Sequence, residues 1–417
     1  MRAPRSTGKT SESGLPRTFN LFWLGQGLSA LGDAMTVVAM PLVVLAETGS
    51  VAQMGRLTAL SRVGGLIATA VAGTLVDRWR PRRVMLDCDV FRCCLMALIP
   101  LTFSLDFHPI WLIFAVGVGA AFAQGIFYVG HVSLVAELVG TARVGLANSR
   151  IEGAIALAYV FGPALAGRIS AAWGPATVLG VDSVTFSISA VALLAMGHAA
   201  SPALATDAVA LAARPPLSSD GWRAGLRFIV AQPELWRLTI LVAFSQFFTA
   251  AIVDLFIFRL KHDLTQGDAG TGLAFAIASA AAVLAAAGTP WLRTKISFHR
   301  LWGAATLVQA VALLVAAPAR SFAVLAGAAA AYMAAMTTLL ICQASIRQEL
   351  TPQPLLGRVT SSYLVLTALP MPLGALGATA LAARLGAGAA QTVVGLGLLA
   401  TAGVAALLWR GDRGDRR

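Results

Sequence analysis

Charged residues are scarce in this chain. Only 12% of its 417 residues are Asp, Glu, Lys or Arg and 58% are hydrophobic, about half the charged share of an average soluble domain. Mean hydropathy is +0.77, more apolar surface than a water-soluble fold can hide. Lysine is nearly absent, limited to Lys9, Lys261 and Lys295, yet arginine brings the net charge to +12. The basic residues sit in short clusters between apolar runs rather than on one face, so the charge marks topology and no nucleic-acid partner is expected. Cysteine is equally sparse. Cys88, Cys93, Cys94 and Cys342 lack metal-ligand spacing, and the adjacent Cys93 and Cys94 are poorly placed for a disulfide, so all four read as packing residues. His131 has no Cys or acidic neighbour at ligand spacing. No metal and no cofactor are expected. Nor is there a loop long enough for a soluble catalytic domain, or a catalytic constellation within an apolar run, so the chain does not read as an enzyme; an intramembrane enzyme or a receptor is the remote alternative.

Long apolar runs are what the sequence has in abundance. About 20 apolar residues in a helix span roughly 30 Å of hydrocarbon, and such runs recur near 19–46, 52–76, 84–104, 109–135, 147–169, 175–197, 235–258, 268–292, 299–318, 321–345, 355–381 and 387–409. They predict an all-α membrane protein of twelve transmembrane helices. An even count puts both termini on one side. With that side inside, 23 of the 31 basic residues fall in inner segments, so the positive-inside rule makes both termini cytoplasmic.

One connection is longer than the rest. It divides the chain into a tail (1–18), a six-helix bundle (19–197), a cytoplasmic linker (198–233), a second six-helix bundle (234–409) and a second tail (410–417). Within the linker Ser219 and Asp220 can cap a short amphipathic helix with Trp222, Leu226 and Ile229 on one stripe, expected to lie on the inner membrane surface.

The turn after span 2 carries Gly73, Asp77, Arg78, Arg80, Arg82 and Arg83. A small residue lets two helices approach, and a lone acid at a helix end can meet a helix N-terminus or an arginine of the opposite half. This pattern resembles motif A of the major facilitator superfamily, although Arg80 stands where that family usually has a second glycine. Gly153, Gly162, Pro163 and Gly167 in span 5 resemble its motif C, found in antiporter branches. The run Leu31, Gly32, Asp33, Thr36, Ala39 and Pro41, and later Gly225, Arg227, Gln232, Pro233, Gly357 and Arg358, are similar in their order to the siderophore- and macrolide-efflux branch.

The resemblance implies two pseudo-symmetric six-helix bundles in a bacterial plasma membrane, exporting a small organic molecule such as a drug, antibiotic, siderophore or other natural product. It implies proton antiport by alternating access, with lipid, protons and the small-molecule substrate as partners, in a protein expected to be a monomer. An importer or uniporter of a small metabolite is the alternative. Motif A would form a latch from Gly73, Asp77, Arg78, Arg82 and Arg83, and motif C a helix pivot from Gly153, Gly162, Pro163 and Gly167. The drug/proton antiporters' arginine in span 4 is missing: Gln124 and Gly125 are present, but Ala121 stands at the arginine position.

Charge inside a span costs a few kcal/mol unless paired or wetted, so Asp33, Arg62, Arg92, Glu152, Asp182 and Asp254 invite function. Asp89 and Arg92, three apart, read as a structural pair. Asp33 is expected to bind the coupled proton, with Arg62 supplying the positive charge absent at Ala121. Gln26, Gln124, Tyr128, Gln246, Phe247, Asp254, Tyr332 and Met336 are candidates for the substrate cavity, with His131 and Gln343 as further polar residues in the spans.

Overall fold

A computed structural model describes residues 15–140, 143–196, 219–352 and 355–410. The described residues form fifteen α-helices, one π turn and no strand. The first half holds α1 (Arg17–Thr48), α2 (Val51–Arg78), α3 (Pro81–Phe103), α4 (Ile110–Val139), α5 (Val144–Trp173) and α6 (Pro175–Ala195). After the linker helix α7 (Ser219–Ala231) come α8 (Pro233–Thr249), α9 (Ile252–Phe258) with a π turn at Arg259–Asp263, α10 (Asp268–Lys295), α11 (Phe298–Ala316), α12 (Phe322–Leu350), α13 (Leu356–Ala368), α14 (Met371–Leu385) and α15 (Ala387–Arg410).

Local chemistry fixes the ends. Thr48 and Gly49 turn α1 into α2: Gly49 takes φ 60° and Ser50 then caps α2 by accepting from the Gln53 amide. Proline opens α3, α6 and α8, where its missing N–H costs no hydrogen bond.

Ten helical segments are long and apolar enough to cross a membrane, taking Pro233–Asp263 and Leu356–Leu385 as one each. With α2 and α3 the count is consistent with the twelve expected. Those two are diluted by charge, Arg56, Arg62 and Asp77 in one and Asp87, Asp89 and Arg92 in the other. Spans 7 and 11 are both interrupted, α8 from α9 at Ala250 and Ala251, α13 from α14 at Leu369 and Pro370.

In the first half α1 packs on α5 and α6, α3 on α4 and α6, and α2 on α4; the second half is built on α10 against α12 and α11 against α12 and α15. The halves meet where α5 crosses α10 and where α2 crosses α14. The largest apolar core spans both halves, drawing Met35 to Leu57 from α1 and α2, Ile252 to Leu260 from α9 and its π turn, and Ala382 to Leu398 from α14 and α15. Two further cores are each confined to one half. One gathers Phe19, Phe22, Met85 and Ile151, the other Leu235, Trp302, Ile346 and Trp409, all toward the end that carries the termini. Among the described residues the halves therefore share a core at the far end and keep separate cores at the basic, terminal end.

The linker helix packs by one face on the second half. Its Gly225 sits directly on the Arg358 carbonyl and Ser362, and Ile229 is fully buried, so α7 is docked on α13. The side chains of Ser219, Asp220 and Trp222, and residues 201–216, lie outside the described residues.

Candidate functional site

The first half buries a network of charge. Arg92 donates through Nη2 to Asp89 Oδ1 at 2.9 Å and through Nη1 to Asp33 Oδ1 at 3.3 Å, and it also meets Gln124 Oε1. Its guanidinium lies between the rings of Phe186 and Phe127, 4.0 and 4.7 Å from their centroids. Asp89 accepts a second bond from Ser189 Oγ at 2.7 Å, and Ser189 Oγ accepts in turn from Gln26 Nε2 at 3.1 Å. Asp182 on α6 accepts from Thr36 Oγ1 of α1 at 2.5 Å and from Thr185 at 3.0 Å. Gly32 leaves room for this pair, since a Cβ there would overlap both Asp182 and Thr185. Arg92 and Asp89 are sealed, but 29% of the Asp33 side chain is accessible. The network is thus dry at its root and open at one carboxylate.

Asp33 has a different counter-charge from the one expected. Arg92, not Arg62, lies against it, so Asp89 and Arg92 are one part of a larger cluster that includes Asp33 and Gln124. A guanidinium does reach Gln124, but it comes from α3 rather than from position 121 of α4.

Arg62 belongs to the seam between the halves. There Thr58 Oγ1 donates to Asp254 Oδ2 at 2.7 Å, tying α2 to α9. Arg62 lies one turn along α2 from Thr58, on the same side of the helix. Ala59 packs on Ala250, Ala251, Met371 and Ala375, so both helix interruptions meet α2 at this level. Nearer the far end, Gly55 abuts Thr379, and Gly167 of α5 lies so close to α10 that a Cβ would sit 2.8 Å from Gly272 Cα. Ser170 Oγ of α5 bonds Asp268 at the start of α10, and Lys261 Nζ reaches the same carboxylate at 2.5 Å. A cavity of about 300 Å³ lies over this seal, lined by residues including Leu42, Ala46, Lys261, His262 and Asp268.

The remaining expected residues scatter. In the motif A region the side chains of Gly73 and Asp77 lie outside the described residues. Arg78 is exposed, Arg82 donates to the Leu193 and Leu194 carbonyls at the end of α6 at 2.7 and 3.0 Å, and Arg83 faces Asp87 at 3.9 Å. These arginine bonds are within the first half. Of the motif C residues, Gly162 packs on Ala34 and the Leu31 carbonyl, the Pro163 carbonyl and Gly167 meet Gly272, and Gly153 has no neighbour within 4 Å of an added Cβ. Gln124 and Tyr128 are exposed one turn apart on α4 and Glu152 is exposed on α5, while His131 stacks on Phe127 and also lies near Phe22. Phe247 is exposed, and Gln246 Nε2 lies 3.8 Å from Met371 Sδ. Met336 is half-buried, and Gln343 accepts from Tyr363 Oη at 3.2 Å. Gln26, Asp254 and Tyr332 are buried; Tyr332 packs beside Phe256 in the shared core and does not line an opening in this state. The sequence offered no signal for Thr58, Ser170 or Asp268, and marked Thr36 only as part of the span 1 run; their hydroxyl and carboxylate groups become partners only once helix rotations are known.

The family model of the Major Facilitator Superfamily matches residues 22–375. The chain belongs to that superfamily. It is accordingly a multi-pass membrane transporter and not an enzyme. Among curated relatives it is 29% identical over 223 residues to the multidrug efflux pump Tap of Mycobacterium tuberculosis, covering 51% of this chain and 50% of that protein. It is 28% identical over 218 residues to Tap of Mycolicibacterium fortuitum, covering 50% and 51%. The matches thus span about half the length of these relatives. Among solved structures, the nucleoside transporter NupG superposes with a TM-score of 0.74 at 12% identity over 94% of this chain and 99% of its own. A bacterial homologue of the iron transporter ferroportin in an inward-facing state gives 0.70 at 16% identity over 93% and 98%. At such identities these superpositions establish the major facilitator fold alone.

Proposed function

We propose that this transporter exports a small organic molecule across a bacterial plasma membrane in exchange for protons, with the basic, terminal end cytoplasmic. Loop charge supports the orientation, and the half-length similarity to an efflux pump supports the direction. The observation that carries the coupling is Asp33: a partly accessible carboxylate on an otherwise dry network, 3.3 Å from a guanidinium it shares with Asp89. A proton on Asp33 leaves Arg92 with one carboxylate instead of two in direct contact. That changes how tightly α1 is held to α3, and so links proton occupancy to helix position. Arg62 has no part in this step.

Asp33→Asn mimics the protonated acid and tests the reading in proteoliposomes. Gradient-driven export of a dye substrate should fall at least tenfold at normal expression, while exchange without a gradient persists. Full pH-dependent export by Asp33→Asn would end the coupling assignment. Uptake in place of efflux would favour the importer alternative.

A further inference from the structure

Arg62 is a charge inside the fold that the coupling network does not use. At about 100° per residue, Arg62 lies about 40° around α2 from Thr58, which bonds Asp254 of the other half. It lies roughly 140° from Ile67, part of an exposed apolar stripe that also holds Leu60 and Val63. Arg62 therefore points between the halves and not into lipid. Thr58 and Ala59, one turn nearer the far end, are closed against α9 and the interrupted spans; Arg62 is the next residue on that face, where the seam ends.

Its side chain is exposed on the face of α2 turned away from the apolar stripe, and so faces the space between the halves. Among the described residues no direct ion pair or hydrogen bond engages the Arg62 guanidinium, and the Asp254 carboxylate is bonded by Thr58. A guanidinium so placed offers up to five donors to whatever fills the space below it. Met371 opens α14 and belongs to the same small apolar core as Ala59, so the interruption of span 11 lies near this point.

We propose that Arg62 docks an anionic group, a carboxylate or sulfonate, on the molecule this transporter carries. The cavity apex thus divides the work: Asp33 and Arg92 answer to protons, and Arg62 selects the ligand's charge. This rests on the transport reading only in taking the space between the halves as the ligand's place.

The test is equilibrium binding to purified full-length protein in lipid nanodiscs, read by fluorescence anisotropy. Fluorescein and rhodamine 123 share a xanthene scaffold, the first with a free carboxylate and the second with that group esterified and a positive charge. Wild type should bind fluorescein saturably. Arg62→Gln should weaken fluorescein at least tenfold and rhodamine 123 less than twofold, Arg62→Lys should retain most fluorescein binding, and Arg56→Gln, on the outer lipid-facing side of α2, should change neither. Monodispersity and helical content confirm that each variant is folded. An equal loss for both dyes, the same loss in Asp254→Asn, a variant with no loss, or no saturable fluorescein binding to wild type would each overturn the proposal. Selective loss with Arg62→Gln in a protein whose liposomes show no proton-driven efflux would leave the docking site standing and remove the export reading alone.

Discussion

Removing the guanidinium of Arg92 would strand Asp89 beside two aromatic rings in a dry interior and take the counter-charge from the partly accessible Asp33. Breaking a buried pair from one side costs about 3–5 kcal/mol, because the remaining charge keeps its desolvation penalty. Arg92→Gln should therefore lower the thermal unfolding midpoint of the purified protein markedly, and adding Asp89→Asn should recover part of the loss. Intrinsic tryptophan fluorescence during heating reads both. A single variant as stable as wild type would mean that water already solvates the site, and the coupling argument would fall with it. At this scale the sequence was half legible. Intramembrane charge alone singled out Asp33, Arg92, Asp182 and Asp254, since such residues are expensive wherever they point. Their pairings were not legible, because Asp33 and Arg92 are 59 residues apart and only the rotation of α1 against α3 brings them together.

Helix seams show the same division. Apolar runs located the spans to within a few residues, and Gly162 and Gly167 were readable as close-packing positions because small residues are what tight helix crossings require. Gly153 looked identical in sequence and faces open space. The interruption at Leu369 and Pro370 has a visible cause in its proline; the one at Ala250 and Ala251 has none in residue type, and we have no physical account of it beyond its packing on Ala59. The glycine contrast is testable. A Cβ at Gly167 would lie 2.5 Å from the Asp268 carbonyl oxygen and 2.8 Å from Gly272 Cα, both backbone atoms that cannot move aside as a side chain can. Gly167→Val should part α5 from α10 at the far end, and a cysteine placed at Ala46, in the cavity wall over the seal, should react several-fold faster with a membrane-impermeant maleimide. Gly153→Val should leave that rate near wild type. Equal rates in the two variants would refute the assignment of the seal to Gly167.

Two halves that share a core at one end and keep separate cores at the other fit one of the states that alternating access needs. The opposite state requires the contacts of α5 with α10 and of α2 with α14 to separate while the basic ends close, a step in which the turn bearing Asp77 is the proposed latch. Populations follow the balance between the two sets of contacts, so weakening either set shifts the molecule toward the state held by the other. Ser170 Oγ and Asp268, hydrogen-bonded across the seal, give a handle on both. Ser170→Cys with Asp268→Cys, in a background free of the four native cysteines, should cross-link under mild oxidation, abolish transport, and regain it on reduction. Adding Asp77→Asn removes the only acid among Arg78, Arg80, Arg82 and Arg83 and so should disfavour closure of the basic end, raising cross-link yield at the far end at least twofold under conditions where the parent pair is incompletely linked. A yield unchanged by Asp77→Asn, in a protein that still transports, would detach the motif A turn from the latch. A lower yield would mean that Asp77 helps hold the basic end open, the reverse of the role the resemblance assigns it.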